Sequence, residues 1–279
     1  MDGRLRPTDL APGDANVAAG DWSAVSVSSV RSPADLDFAP AFERLWSEFG
    51  VRGEMERREV IAARLAWDPA RPVEGAALLY ELLVLRRGDQ VVAMRDHTAV
   101  ARRPERGASP PVVVHLSHAL VEPSNRGSGL AGWLRALPLE TARRCALAAG
   151  CAGSPIVLVA EMEHPDPADP ARMIRLRSYE RAGFRKIDPA AAPYRQPDFR
   201  PPEALAGTTP VPVPLSLVVR RVGAESEDAM PAAEVVAVVQ AIYAVYRVHV
   251  APSALEPVRA AAAEWTARDA SFRLVPPTA

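Results

Sequence analysis

The stretch Ala119–Leu137, ALVEPSNRGSGLAGWLRAL, decides how this chain is read. An apolar run ends at Val121, Pro123 follows, and Arg126, Gly127, Ser128, Gly129, Leu130 and Ala131 lead into a helical pattern. Two glycines one residue apart before a helix point to something that approaches the main chain closely. A helix start presents unpaired N–H groups and the positive end of a dipole, so an anion is its natural guest. The stretch is not a Walker loop, because no Gly-Lys-Ser/Thr follows. It is a poor dinucleotide fingerprint too, since the strands before it run as a meander.

Working outward, SAVSVSSV alternates like a short strand. SPADLDFAPAFERLWSEFG reads as a helix with Ser32 or Asp35 as its cap and Gly50 as its stop, and EMERREVIAARLAW as a second helix. ALLYELLVLRR and QVVAMRDHTAVAR flank Gly88-Asp89, which predicts an antiparallel hairpin. VVVHLSHALV is a third strand, and the helix after the glycines should be kinked or interrupted at Pro138. PIVLVAEME is a buried-type strand, followed by a helix over Asp169–Ala182 and strands in FRKI and VPLSLVVRRV. Strand–helix–strand across residues 112–162 demands a parallel pair with a right-handed crossover. The fold class expected is therefore mixed α/β (α+β): a mostly antiparallel central sheet flanked by helices, with a C-terminal helical extension.

Composition narrows the function. A formal charge of −1 over 279 residues argues against a general nucleic-acid binder. No apolar run reaches the roughly 18 residues of a membrane span, and the N-terminus has none long enough for a signal sequence. Cys145 and Cys151 fit neither zinc nor redox spacing, so no metal is expected. The expected location is cytoplasmic. Residues 1–22 read as a flexible tail, 23–222 as the main domain, and 223–279 as a helical extension and tail. In that extension Val235, Val239, Ile242 and Tyr246 share one helical face, expected to pack on the main domain.

A second motif gives the glycine stretch a meaning. SYERAGFRKI puts Tyr179 near a helix end, Gly183 at its stop and Phe184 at the start of a strand. Together with VEPSNRGSGLA it resembles the GCN5-related N-acetyltransferase (GNAT) superfamily over roughly residues 24–222. Arg126, Gly129 and Ala131 fit the family's Arg/Gln-x-x-Gly-x-Gly/Ala loop, Val121-Glu122-Pro123 its Val-x-Pro, and Tyr179, Gly183 and Phe184 its Tyr-x-x-x-Gly-Phe. The resemblance implies an acetyl-CoA pyrophosphate at Arg126–Ala131, main-chain contacts to pantetheine at Leu120 and Val121, and Tyr179 as the acid beside the CoA sulfur. One departure is Arg172, where the family often has Asn.

Candidates for the base are His115, which shares strand parity with Val121, and Glu122, acting through water. His118 has the opposite parity and reads as a satisfied core histidine. Glu161 and Glu163 could hold a cationic amine or share in proton removal. Arg102, Arg103 and Arg106 read as a solvated basic loop. The expected function is acetyl transfer from acetyl-CoA to an amine of a small molecule or peptide, by a monomer or homodimer. The alternatives are a catalytically silent acyl-CoA-binding module and a protein-interaction subunit.

Overall fold

In the computed structural model, which describes residues 9–103, 110–200 and 202–279, the chain divides into two compact units. The first comprises the residues up to Arg103 and Leu116–Gly153, the second Pro104–His115 and Ser154–Ala279. In the first, β1 (Val25–Val30), α1 (Phe38–Glu48), α2 (Arg58–Arg64), β2 (Ala76–Arg87) and β3 (Gln90–Arg102) follow in the expected order. The hairpin runs from Ala76 opposite Arg102 to Arg87 opposite Gln90, turning at Gly88, whose φ of +58° is costly for a residue with a Cβ. β1 lies antiparallel on the other edge of β2. β4 (Val112–Val121) belongs to the second unit up to His115 and to the first from Leu116. Alternation along these strands builds two cores. Tyr80, Leu82, Val84, Met94 and Leu120 pack with Phe38, Phe42 and Leu45 of α1 and Ile61 of α2. Leu83, Leu85 and Ala93 pack with Leu130, Leu134 and Leu137.

The helix after the glycines is split as Pro138 requires. α3 (Leu130–Ala136) ends at Leu137 and α4 (Pro138–Ala149) begins on the proline, which has no N–H to give. Leu134, four residues earlier, is the carbonyl so orphaned, and Arg95 Nη1, reaching across from β3, donates to it at 2.8 Å. A strand arginine thus completes a broken helix.

His118 is a buried, satisfied residue, as its parity implied. Its Nδ1 lies 2.9 Å from Asp96 Oδ1 and its Nε2 3.0 Å from the Glu54 carbonyl oxygen. Both partners are acceptors, so both ring nitrogens donate and the ring is an imidazolium. Asp96 also accepts from the His118 N–H at 2.8 Å and the Tyr80 hydroxyl at 3.0 Å. Burial by itself would lower the His118 pKa; the Asp96 charge and hydrogen bonds, with Glu56, outweigh it and hold the ring at about 9. Burial likewise opposes ionisation of Asp96, and the His118 charge and hydrogen bonds more than offset it, holding that carboxyl well below its usual value.

The second unit starts from the predicted parallel pair: residues Val112–His115 of β4 lie beside Ile156–Val159 of β5 (Ile156–Met162). α5 (Pro170–Arg181) follows, its N-terminus capped by Asp169, and then β6 (Arg185–Ile187). The proline-rich connection holds a small ladder of β7 (Arg195–Gln196) with β8 (Val213–Pro214), and one turn of helix, α6 (Pro202–Leu205). β9 (Ser216–Arg221) inserts antiparallel between β5 and β6.

The C-terminal segment is more than a helical extension. It contains β10 (Ala229–Pro231), α7 (Ala232–Arg247), α8 (Pro252–Thr266) and β11 (Ser271–Val275). β11 pairs with β6, Leu274 opposite Ile187, and with β10 on its other side. Val235, Val239, Ile242 and Tyr246 are all buried, as are Val238 and Val245, and α7 packs on α8 and against β10 and β11. Among the described residues no helix is long and apolar enough to cross a membrane.

Two outcomes follow from this packing. A chain ended at Asp228 loses the strand on β6 and the cover of Leu274 and Phe272, each large apolar side chain being worth about 1.5–3 kcal/mol; it should aggregate or melt well below the full chain in size-exclusion and thermal unfolding runs. For His118, whose pKa rises from 6.5 to about 9 on folding, the contribution is fully present below pH 6.5 and is lost as pH rises through about 9. Replacing His118 by Gln should cost about 3–5 kcal/mol at pH 6, the scale for breaking a buried pair, and the gap to the native chain in urea midpoints should narrow towards pH 9.5.

Candidate active site

At the end of β4 the chain makes one 3₁₀ turn, Pro123–Asn125, and then the glycine turn. Gly127 has φ +78° and Gly129 φ +92°, a region that L side chains rarely occupy. Ser128 Oγ donates to the Asn125 carbonyl at 2.6 Å and Gly132 N–H to the Gly129 carbonyl at 2.9 Å, which fixes the turn. Leu130 is fully buried, main chain included, and anchors the start of α3 in the core. Among the described residues, the N–H groups of Gly127, Gly129, Leu130 and Ala131 have no backbone acceptor. Those of Gly127, Gly129 and Ala131, residues at least partly exposed, suit a pyrophosphate at a helix start. Arg126 Nε lies 3.4 Å from the Val121 carbonyl, tying loop to strand.

The stretch expected as a tail meets this helix. Residues 1–8 lie outside the described residues, but Pro12–Ala19 form a 3₁₀ helix. Asp14 takes a two-pronged bond from Arg135 at 3.0 and 2.7 Å, and Asp9 one from Arg143 at 2.8 and 2.8 Å. Trp22 donates to the Val17 carbonyl at 2.6 Å and sets its ring edge-on to Trp133. A Cβ on Gly129 would come 3.3 Å from Val17, and one on Gly132 3.1 Å from Val17 and 3.2 Å from Asp14. The missing side chains at Gly129 and Gly132 therefore make room for the N-terminal segment; Gly127 alone opens onto free space. Asp9, Asp14 and Trp22 were the available signal, acids and an indole in a stretch otherwise of small residues.

In the second unit a buried carboxylate gathers the chemistry. Glu161, near the end of β5, has a side chain 4% exposed, and His115 one 5% exposed. His115 Nε2 lies 2.8 Å from Glu161 Oε2, the Tyr194 hydroxyl donates to Oε1 at 2.6 Å, and the Tyr246 hydroxyl donates to Oε2. A carboxylate only accepts, so the proton in this bond sits on Nε2, across the ring from Nδ1. That Nδ1 is buried and has no partner. Tyr246 stands edge-on to the His115 ring, centroids 5.6 Å apart, and Tyr194 stacks on Tyr243. Burial, then the nearby Glu161 charge, pushes the Tyr194 phenol well above its usual pKa, so it stays a donor.

The other candidates are placed differently. Glu122 is gripped by Arg44, whose Nε and Nη2 donate to its two oxygens at 2.8 and 3.1 Å. Glu163 is paired with Arg175 and, at 3.3 Å, with Arg172. Arg172 also reaches Asp169 at 3.4 Å and the His164 carbonyl at 3.2 Å, a surface knot around the start of α5. Tyr179 is half-buried and packs edge-on against Phe184, centroids 4.8 Å apart. Arg106 lies outside the described residues. Sequence reading missed Tyr194 and Tyr246; a tyrosine on an otherwise apolar face is the signal that could have found the second.

No family model matches the chain, and no curated protein matches its sequence. Among solved structures the chain is similar to a GNAT-family protein from Desulfovibrio desulfuricans assigned as an acetyltransferase, at 20% identity and a TM-score of 0.37, over 71% of this chain and 99% of that one. It is similar to a protein from Salmonella typhimurium assigned as an acetyltransferase and solved with acetyl-CoA, at 19% identity and a TM-score of 0.35, over 73% and 97%. A tandem GNAT protein from the clavulanic acid pathway is 17% identical with a TM-score of 0.36, over 67% of this chain and 52% of its own, so the chain spans about half of it.

Proposed function

We propose that the chain is an acetyl-CoA-dependent N-acetyltransferase that passes an acetyl group directly to an amine. The observation that carries this reading is the glycine turn: two positive-φ glycines after β4, with the N–H groups of Gly127, Gly129 and Ala131 lacking a backbone acceptor among the described residues, at the positions where the sequence resembles the GNAT loop. These three N–H groups would hold the pyrophosphate. The amine arrives protonated, and His115 Nδ1 takes its proton; the imidazolium so formed is stabilised by Glu161 across the 2.8 Å bond. The amine nitrogen attacks the thioester carbonyl carbon, the C–S bond breaks, Tyr179 gives its phenolic proton to the departing thiolate, and the second proton of the acylated nitrogen returns to the Tyr179 phenolate. Glu122, already held by Arg44, is the weaker candidate for the base.

The direct test is CoA release over a panel of amines, with acetyl-CoA binding followed by calorimetry. His115→Gln should lower turnover by roughly 10²–10⁴-fold, the span for one acid–base group, with acetyl-CoA affinity kept. Tyr179→Phe should lower it by roughly 10²-fold. Binding without release on any amine would leave the silent acyl-CoA module; no binding at all would end the reading.

Gly127 gives the cleaner probe of the loop, because a Cβ there meets nothing while its φ of +78° penalises any side chain. Gly127→Ala should weaken acetyl-CoA binding by up to ~10-fold at an almost unchanged melting temperature, because in the free chain the exposed turn relaxes out of the left-handed conformation and must recover it, at about 1–2 kcal/mol, to bind. Equal affinity in the variant would show that the turn does not hold the cosubstrate.

A further inference from the structure

We propose that Tyr246 is a positioning residue for the base, so that the C-terminal helix α7 completes the machinery; this rests on the assignment of His115 as the proton acceptor. Glu161 Oε2 receives two donors, His115 Nε2 at 2.8 Å and the Tyr246 hydroxyl, while Oε1 receives Tyr194 at 2.6 Å. With Tyr194 and Tyr246 both donating, the carboxylate is held from two sides and cannot rotate away from the imidazole. Tyr246 also supplies the wall: its ring meets His115 edge-on at 87°, and Phe199 backs it edge-on with centroids 4.9 Å apart. Gln196 Nε2 approaches the phenol oxygen at 3.4 Å as a donor, which leaves the phenolic hydrogen for Glu161. One residue thus fixes both the acceptor of the Nε2 proton and the plane of the ring, and with them the direction of the Nδ1 lone pair.

Removing the hydroxyl has a signed consequence. The Tyr246 bond spreads the charge of Glu161; without it the carboxylate attracts the imidazolium more strongly, and His115 should hold its proton to higher pH. The ionisable groups facing this pair are Glu161 itself on β5, Tyr194 beside β7, and Tyr243 and Tyr246 on α7.

Tyr246→Phe keeps the ring and its contacts with His115 and Phe199, so the fold should survive, checked by melting temperature. Two readouts apply to the full chain. In side-chain nitrogen NMR, native His115 should show the tautomer protonated on Nε2, and Tyr246→Phe should move its titration upward. In amine-dependent CoA release, the acid limb of kcat/KM should shift upward by about half a pH unit or more, with kcat reduced several-fold. Gln196→Leu, a milder change, should move both in the same direction by less. If His115 titrates identically in native and variant chains, the proposal is overturned, whatever the activity. A native chain that releases no CoA while the NMR shift appears would sink the acetyltransferase reading and leave the Tyr246–Glu161–His115 arrangement standing.

Discussion

A carboxylate cannot be buried unless donors surround it, and Glu161 organises the second unit on that condition. Isolated in a medium of low polarity, its charge would cost several kcal/mol, and three segments bring donors to it. β4 brings His115, the segment beside β7 brings Tyr194, and α7 brings Tyr246. The apolar stripe of α7 supplies most of the energy that docks the helix, but the stripe alone leaves its rotation loosely defined. The phenol–carboxylate bond fixes it. The same bond places Tyr243, whose hydroxyl donates to the Arg195 carbonyl at 3.1 Å, and so ties the proline-rich connection to α7.

The first unit meets the same condition with different partners. Arg95, Asp96 and His97 occupy the middle of β3 and none is exposed. Asp96 is answered by an imidazolium and a phenol; among the described residues Arg95 is answered at Nη1 alone, by the carbonyl that Pro138 orphans, and His97 at Nε2 alone, by Thr141 at 2.7 Å. Burial takes the His97 pKa down to about 4, so it is neutral where His118 is charged. Two histidines of similar burial differ because His118 donates to a carboxylate and a carbonyl, whereas His97 is hydrogen-bonded to a hydroxyl and the pull of the Glu81 charge on it is opposed by Arg95 and Arg144.

The frame was legible because its signals are local. Alternation gave the hairpin, Gly88-Asp89 its turn, Pro138 the helix break, and residues 112–162 the parallel pair. What escaped depends on distant partners. Glu161 stood out as a candidate for holding an amine, but its burial did not, because the residues that bury it come from positions 115, 194 and 246. Tyr194 sits in a proline-rich stretch where no periodicity operates, and Tyr246 was counted into an apolar face where its ring belongs and its hydroxyl does not. β11 was missed because five residues after a helix carry too little pattern to announce a strand that pairs with β6. The N-terminal segment escaped for a related reason: its anchors, Asp9 and Asp14, find their arginines more than a hundred residues away.

Three acidic residues stood out from the sequence as possible participants, and their neighbours sort them. Glu122 is held in a fork by the Arg44 guanidinium, and Glu163 by two separate guanidinium groups, Arg172 on one oxygen and Arg175 on the other. A carboxylate so paired has little left to offer a cation. Among the described residues Glu161 is held by two phenols and the His115 imidazole, and by no guanidinium. Phenols satisfy its lone pairs without neutralising it, so the negative charge remains for the moment when His115 takes a proton and becomes cationic. Replacing either tyrosine by an arginine would bury the carboxylate equally well and remove that capacity. The choice of tyrosine over arginine is what separates a carboxylate that can support a base from one that only fastens the fold.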